Sequence, residues 1–206
     1  MLLAGGLNAL DFGFEQLNGF VRQALVGKEG CQSFCSYCII PYVRGKLKSR
    51  PLENIIQQVK KLIDHHYQEI VLTGTHLGHY GKDLPEKPTL AQVIQALCAL
   101  PELKRLRLSS LEPMDFTSEL INLIKEQPKI CRHFHLPLQS LNNQILQKMN
   151  RNYTVKQVNK IIAQLIEIDS DICLGADIIT GFPGETEQQF QETYQRLKSL
   201  PLAYLH

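Results

Sequence analysis

Two observations in the sequence predict an α/β fold built on a parallel sheet. Short apolar runs alternate with longer stretches whose apolar residues recur at helical spacing. Strand–helix alternation of this kind joins parallel strands through right-handed crossovers. The chemically unusual residues fall just after the apolar runs: the cysteines of residues 31–38, Thr73-Gly74-Thr75, and residues 109–113, 137–140 and 177–185. In parallel α/β folds the C-terminal strand ends gather on one face, where ligands bind. Five complete βα units and the start of a sixth suit either an open barrel or a doubly wound sheet. Pattern alone does not separate the two, although the convergence of five loops favours a barrel-type site.

The elements follow in order. Residues 20–26 form the first apolar run. Leu52, Ile55, Ile56, Val59, Leu62 and Ile63 then trace one helical face, with Pro51 suited to its first turn. Residues 69–72 are the next strand. Thr89 caps a helix carrying Leu90, Val93, Ile94 and Leu97. Residues 106–108 are a third strand, and Thr117 opens a helix through Leu120, Ile121 and Ile124. Residues 134–136 are a fourth strand, followed by helices over 142–149 and 154–168. Residues 172–179 are a fifth strand. Thr186 with Gln189 makes a capping box for the last helix, and residues 202–205 begin a sixth strand.

Composition sets bounds. The 206 residues suffice for one domain with a substantial core, or for a piece of a larger protein. A net charge of +2 is too small to argue for nucleic acid, so any basic footprint is local. Residues 1–13 lack the basic start of a signal peptide, and no apolar run approaches the roughly 18 residues of a membrane span. A reducing cytoplasm is the natural setting, and there a tight cysteine cluster points to metal or redox chemistry.

Three of the six cysteines, Cys31, Cys35 and Cys38, lie within eight residues. Thiolates are the usual ligands of iron–sulfur clusters. Three of them cannot complete a four-iron cubane, so one iron keeps an open site that an amino-acid head group can chelate. Two blander readings compete. Positions i, i+4 and i+7 also share one helical face, but Gly30 before and Pro41 after argue against a long helix. A structural zinc site wants four ligands, and no fourth is nearby. Cys98, Cys131 and Cys173 sit in or beside apolar elements and are read as core residues.

The cysteine segment, with aromatic Tyr37 before the third Cys, resembles the radical S-adenosylmethionine (SAM) superfamily. The stretch from Gly30 to Gly45, followed by Ser49-Arg50-Pro51, resembles its methylthiotransferase branch. The resemblance implies a partial, open parallel β/α barrel truncated at its sixth strand. Residues 19–206 would be this core and residues 1–18 a leader or remnant linker. It implies a 4Fe-4S cluster on Cys31, Cys35 and Cys38, with S-adenosylmethionine on the open iron. Thr73 and Gly74 would meet the methionine amine, Ser110 and Glu112 cofactor or substrate, and Gln139 the ribose or methionine part. Arg151 would approach the cofactor carboxylate through its planar fork, and Asp177 the adenine. From the residues alone, Glu112 could instead pair with Arg105 or Arg107, and Arg151 could cap the preceding helix. His76 and His79 are read as loop residues rather than metal ligands.

The family pattern has three parts: an N-terminal domain with a second 4Fe-4S cluster, the radical core, and a C-terminal RNA-binding domain. The 206 residues match the core, so the second cluster is expected only in the full-length protein. Expected partners are tRNA and an electron donor such as flavodoxin or ferredoxin. After the second strand, relatives acting on isopentenyl-adenosine usually carry Gln-Asn, and those acting on a ribosomal-protein aspartate Gln-Asp-Thr. Here Gly74-Thr75-His76-Leu77-Gly78 most resembles enzymes that methylthiolate threonylcarbamoyl-adenosine beside the tRNA anticodon. The basic run Arg44, Lys46, Lys48 and Arg50 is a usual solvated loop that, beside an active site, could meet phosphates.

Overall fold

The structure, a computed structural model, describes residues 16–17 and 20–206. The leader expected over residues 1–18 lies outside the described residues, apart from the short strand β1 (Gln16–Leu17). The remaining elements are β2 (Phe20–Glu29), α1 (Ile40–Val43), β3 (Lys48–Ser49), α2 (Leu52–Asp64), β4 (Glu69–Gly74), α3 (Leu90–Cys98), β5 (Arg105–Leu108) and α4 (Ser118–Glu126). Then come β6 (His133–Gln139), α5 (Asn143–Lys148), α6 (Val155–Ile168), β7 (Cys173–Ile178), α7 (Glu187–Ser199) and β8 (Tyr204–Leu205).

The parallel ladders run β2-β4-β5 and β6-β7-β8. A bridge between Leu106 and Ile130, with Leu111 N–H donating to His135 O at 3.2 Å, joins the two into one curled sheet. The fold is therefore α/β with a half-barrel sheet. Among the described residues no helix is long and apolar enough to cross a membrane.

Strand alternation gives each face its task. Leu25, Ile70, Leu72, Leu106, Leu108, Phe134, Leu136, Leu174 and Ala176 are at most 2% exposed and join the helices' apolar faces in one core. The helix starts follow from local sequence. Thr89, Thr154 and Thr186 each accept from a backbone N–H three residues on and complete capping boxes with Gln92, Gln157 and Gln189. Pro51 stands at the N-cap of α2 rather than inside its first turn.

Three corrections concern the segment after β2. The first strand runs past Val26 to Glu29, because β3 pairs antiparallel with Lys28 and Glu29. β3 lies inside the basic run expected to be loop. Ile40–Val43 form a single helical turn, which Pro41 permits because it sits in the first turn. Of the cysteines read as core, Cys98 and Cys131 are buried, and burial pushes the Cys98 thiol up to about 11; Cys173 is only half-buried.

The concave face is polar, and its floor is one carboxylate. Glu69, 1% exposed, binds Arg22, Arg105 and Arg107 at 2.7, 2.9 and 2.8 Å, tying β2, β4 and β5 together. Burial pushes its carboxyl up, but the Arg107 hydrogen bond and the three guanidinium charges outweigh that and hold it below the ordinary glutamate value. A depressed carboxylate adds stability that is full above its unfolded pKa and lost as pH falls through the folded one. Wild-type stability should therefore fall more steeply than that of Glu69→Gln as pH drops below about 4.5. At pH 7 the variant should be less stable by about 3–5 kcal/mol in urea unfolding. Equal midpoints at pH 7 would remove the hub from the account.

Candidate functional site

The cysteine loop leaves β2 through a backbone that only glycine allows. Gly30 has φ +69°, and a Cβ there would lie 2.0 Å from Lys46 O. Just before it, Lys28 is 1% exposed and donates to Gly30 O at 2.8 Å. Cys31 and Cys35 follow, each 9% exposed, with Cys38 half-buried. Phe34 between them has φ +47°, a left-handed backbone uncommon for an aromatic residue.

The turn after α5 clasps this loop. Asn150 Nδ2 donates to Ser33 O at 3.2 Å and Phe34 O at 3.0 Å, bracketing the left-handed residue. Ser36 donates through N–H to Met149 O at 3.1 Å and through Oγ to Lys148 O at 2.9 Å. Arg151, its side chain 4% exposed, reaches Cys35 Sγ at 3.3 Å, Glu112 Oε1 at 2.9 Å, Pro137 O at 3.1 Å and Tyr153 Oη at 3.1 Å. Those partners engage four of its five N–H groups, leaving one on Nη2 for a ligand. Glu112 therefore pairs with Arg151; Arg105 and Arg107 are committed to Glu69 at the other end of β5. Arg151 does not cap α5 with its side chain.

Cations surround the thiols. Burial pushes the Cys31 thiol up, but hydrogen bonds from Ser33 and His76 and the His76 charge carry it below the ordinary value. His76 is itself buried, which lowers it; Asp115 at 3.3 Å and Glu112 at 3.8 Å raise it further than burial lowers it. Its ring stacks on His79 at 3.6 Å, and burial with the His76 charge holds His79 down to about 4. Burial raises the Tyr37 hydroxyl, which faces Arg151 and Cys35.

A thiolate set ringed by Lys28, His76 and Arg151 suits an anionic iron–sulfur centre, whose charge those cations offset. A second observation supports a ligand nearby: Ser109 Oγ, at the end of β5, is buried with no hydrogen-bond partner.

The other expected residues spread along the strand ends. Thr73 is half-buried on the inner face. Gly74 makes room for the neighbouring strand, since a Cβ would lie 2.9 Å from Lys28 O. Ser110 is exposed. Gln139 is half-buried with φ +62°, at an irregularity in the β6–β7 ladder. Asp177 lies on the inner face with His135 at 2.9 Å and His206 at 3.5 Å. One cleft brings together Cys35, His76, Glu112 and Arg151. Sequence reasoning missed Lys28, Ser33, Asp115 and Asn150 as parts of the site. A lysine at the end of an apolar run, two residues before Gly30-Cys31, was the signal for the first.

The profile of the Radical SAM superfamily matches residues 25–197. The threonylcarbamoyladenosine tRNA methylthiotransferase MtaB of Aquifex aeolicus is 42% identical over 186 residues, covering 90% of this chain and 45% of that protein. A tRNA-2-methylthio-N(6)-dimethylallyladenosine synthase of Thermoanaerobacter pseudethanolicus is 46% identical over 164 residues, 80% of this chain and 35% of that one. The chain thus spans less than half the length of these relatives. Among solved structures, the radical S-adenosylmethionine methyltransferase TsrM of Kitasatospora setae matches with TM-score 0.73 and 18% identity, over 89% of this chain and 35% of that one. Coproporphyrinogen III oxidase HemN of Escherichia coli matches with TM-score 0.59 and 16% identity, over 89% and 43%. At these identities the structural likeness speaks for the fold.

Asn150→Ala removes both donors that bracket Phe34, on the order of 1–3 kcal/mol of local stability. Alkylation of Cys35 under native conditions should then accelerate about tenfold, with Cys98 unchanged, because opening of the loop alone becomes easier. Equal Cys35 rates in variant and wild type would show that Asn150 does not hold the loop.

Proposed function

The chain belongs to the radical SAM superfamily, and from that premise we propose that it is the radical core of a tRNA methylthiotransferase acting on threonylcarbamoyl-adenosine beside the anticodon. The observation that carries the reading is the clasped loop of Cys31, Cys35 and Cys38 with its ring of buried cations. The family implies a 4Fe-4S cluster and S-adenosylmethionine. When bound, this pair supplies the electron and the sulfonium whose reductive cleavage starts radical chemistry.

The chain's own residues hold and orient. Cys31, Cys35 and Cys38 would hold three irons of the cluster. Lys28, His76 and Arg151 offset the charge brought in. Arg151, with one N–H left over, would take the cofactor carboxylate, and Thr73 and Gly74, at the end of β4, would meet its amine. Ser110, Glu112, Gln139 and Asp177 line the remaining strand ends, and Tyr37 flanks the third cysteine. Residues 19–206 form this core. The second cluster belongs to a domain preceding it in the full-length protein, and a flavodoxin or ferredoxin supplies the electron.

The loop Gly74-Thr75-His76-Leu77-Gly78 supports threonylcarbamoyl-adenosine as substrate, and so does the MtaB relative. The 46% identity to a dimethylallyladenosine-modifying relative favours the second reading, isopentenyl-adenosine. Two experiments decide. Anaerobic reconstitution should give about four irons per chain and cleavage of S-adenosylmethionine, both lost in Cys35→Ala; tight zinc with no cleavage would sink the radical reading. In cells lacking the gene, mass spectrometry of tRNA should show threonylcarbamoyl-adenosine without its methylthio group and methylthio-isopentenyl-adenosine intact. The reverse pattern selects the second substrate.

The rim supports RNA as partner. Phe34, Ile39, Tyr42 and Val43 are exposed large hydrophobic side chains, with Phe34 and Tyr42 edge-to-face at 5.9 Å, and Arg44, Lys46 and Lys48 are exposed beside them. Aromatic platforms beside cations suit unpaired nucleotides. Arg44→Ala with Lys46→Ala should weaken tRNA binding and flatten its dependence on log salt by about 0.7–0.9 for each phosphate no longer neutralised. An unaltered slope would take this rim out of the interface.

A further inference from the structure

The inner face of β6, β7 and β8 carries a second constellation, separate from the cysteine loop. His135 stands on β6, Asp177 on β7, and His206 directly after β8. The ladder fixes their meeting. β7 and β8 pair Gly175 with Tyr204 and Ala176 with Leu205, which sets His206 beside Asp177. His206 is held in that register by its own backbone: its N–H donates to Ala176 O and its O accepts from Ile178 N–H, both at 2.9 Å.

His135 Nε2 lies 2.9 Å and His206 Nδ1 3.5 Å from the same Asp177 oxygen, and the three donor atoms all fall within 4.8 Å of one another. One tetrahedral divalent ion with ligands at 2.0–2.2 Å separates its donors by about 3.3–3.6 Å. The His206–Asp177 spacing is already of that size, the His135–Asp177 spacing falls about half an ångström short of it, and the two imidazole nitrogens lie within 4.8 Å of each other.

The surroundings match a metal site in a further respect. A metal-bound imidazole usually has its other nitrogen hydrogen-bonded, which fixes ring and tautomer. His135 Nδ1 lies 3.2 Å from Tyr204 Oη, and that hydroxyl lies 3.0 Å from His133 Nε2. Gly175 makes this buttress possible: a Cβ there would sit 2.1 Å from Tyr204 Cζ, so only glycine lets the ring cross β7 to β6.

We propose that His135, Asp177 and His206 form a binding site for a divalent transition-metal ion of the zinc type on the concave face of the half-barrel. Two imidazoles and one carboxylate select Zn²⁺, Co²⁺, Ni²⁺ or Fe²⁺ over Mg²⁺ and Ca²⁺, which prefer oxygen. Three protein ligands leave an open position facing the hollow, where water or an oxygen or nitrogen of a bound substrate completes the sphere. The site lies below the mouth: Arg151 touches both Cys35 and Pro137 O, and His135 is two residues, about 7 Å, further down β6. The inference gives Asp177 to the metal rather than to the adenine, and metal binding itself does not require methylthio transfer.

Anaerobic titration with Co²⁺ tests it, on the chain and on a variant with Cys31, Cys35 and Cys38 all changed to Ser. Thiolate-bound cobalt shows intense near-ultraviolet charge transfer, whereas a nitrogen–oxygen site shows only weak visible bands, so the wild-type chain suffices if the triple variant fails to fold. One equivalent with nitrogen–oxygen bands is expected. Asp177→Asn and His135→Gln should each weaken it at least a hundredfold, and Tyr204→Phe about tenfold. Absence of that spectrum, or unaltered affinity in folded Asp177→Asn, would overturn the proposal.

Discussion

The buried Arg151 guanidinium is the constraint on which the site's geometry depends. A charge that cannot be neutralised by losing a proton is costly to desolvate and must be met by fixed partners. It finds them on three different segments: Cys35 on the loop after β2, Glu112 after β5, and Pro137 O in β6. Its position therefore dictates how far apart those segments can lie. Asn150 and Ser36 complete the clasp with backbone partners, so the cysteine loop takes its shape from a turn more than a hundred residues away.

The half-barrel separates stability from chemistry by face and by end. Leu, Ile and Phe on alternate strand positions fill the layer under the helices. The inner face is left for polar groups that the sheet holds rigidly. At the N-terminal strand ends Glu69 gathers three arginines, a structural knot. At the opposite ends the acids and bases are arranged around thiols. The same alternation puts His135, Asp177 and Tyr204 on the inner wall between them.

Much of this was legible in the sequence, and the misses have physical causes. Helix starts were plain because Thr89, Thr117, Thr154 and Thr186 act locally, within three residues. The three cysteines and the Glu112 and Arg151 positions were legible as motif. The partner of Glu112 was not, since Glu69 takes Arg105 and Arg107 only once β2, β4 and β5 are side by side. β3 hid in a basic run because its strand character comes from pairing with Lys28 and Glu29. Lys28 falls beyond the apolar run read over residues 20–26, and its burial depends on Gly30 O and the β4 neighbour. The inner-wall trio was invisible to spacing, as its members are 42 and 29 residues apart in the chain and meet only through ladder register.

The clasp also sets a clock. Its bonds join residues 112 to 117 apart in the chain. At synthesis rates of about 5–20 residues per second, the cysteine loop leaves the ribosome roughly 6–23 s before the turn that secures it. For that interval the thiols are unshielded and the loop has no fixed shape. A metal centre assembled on the nascent chain would find three mobile ligands, and one assembled after the fourth strand and its helix have docked would find a finished socket. The finished socket exists only after most of the half-barrel has closed.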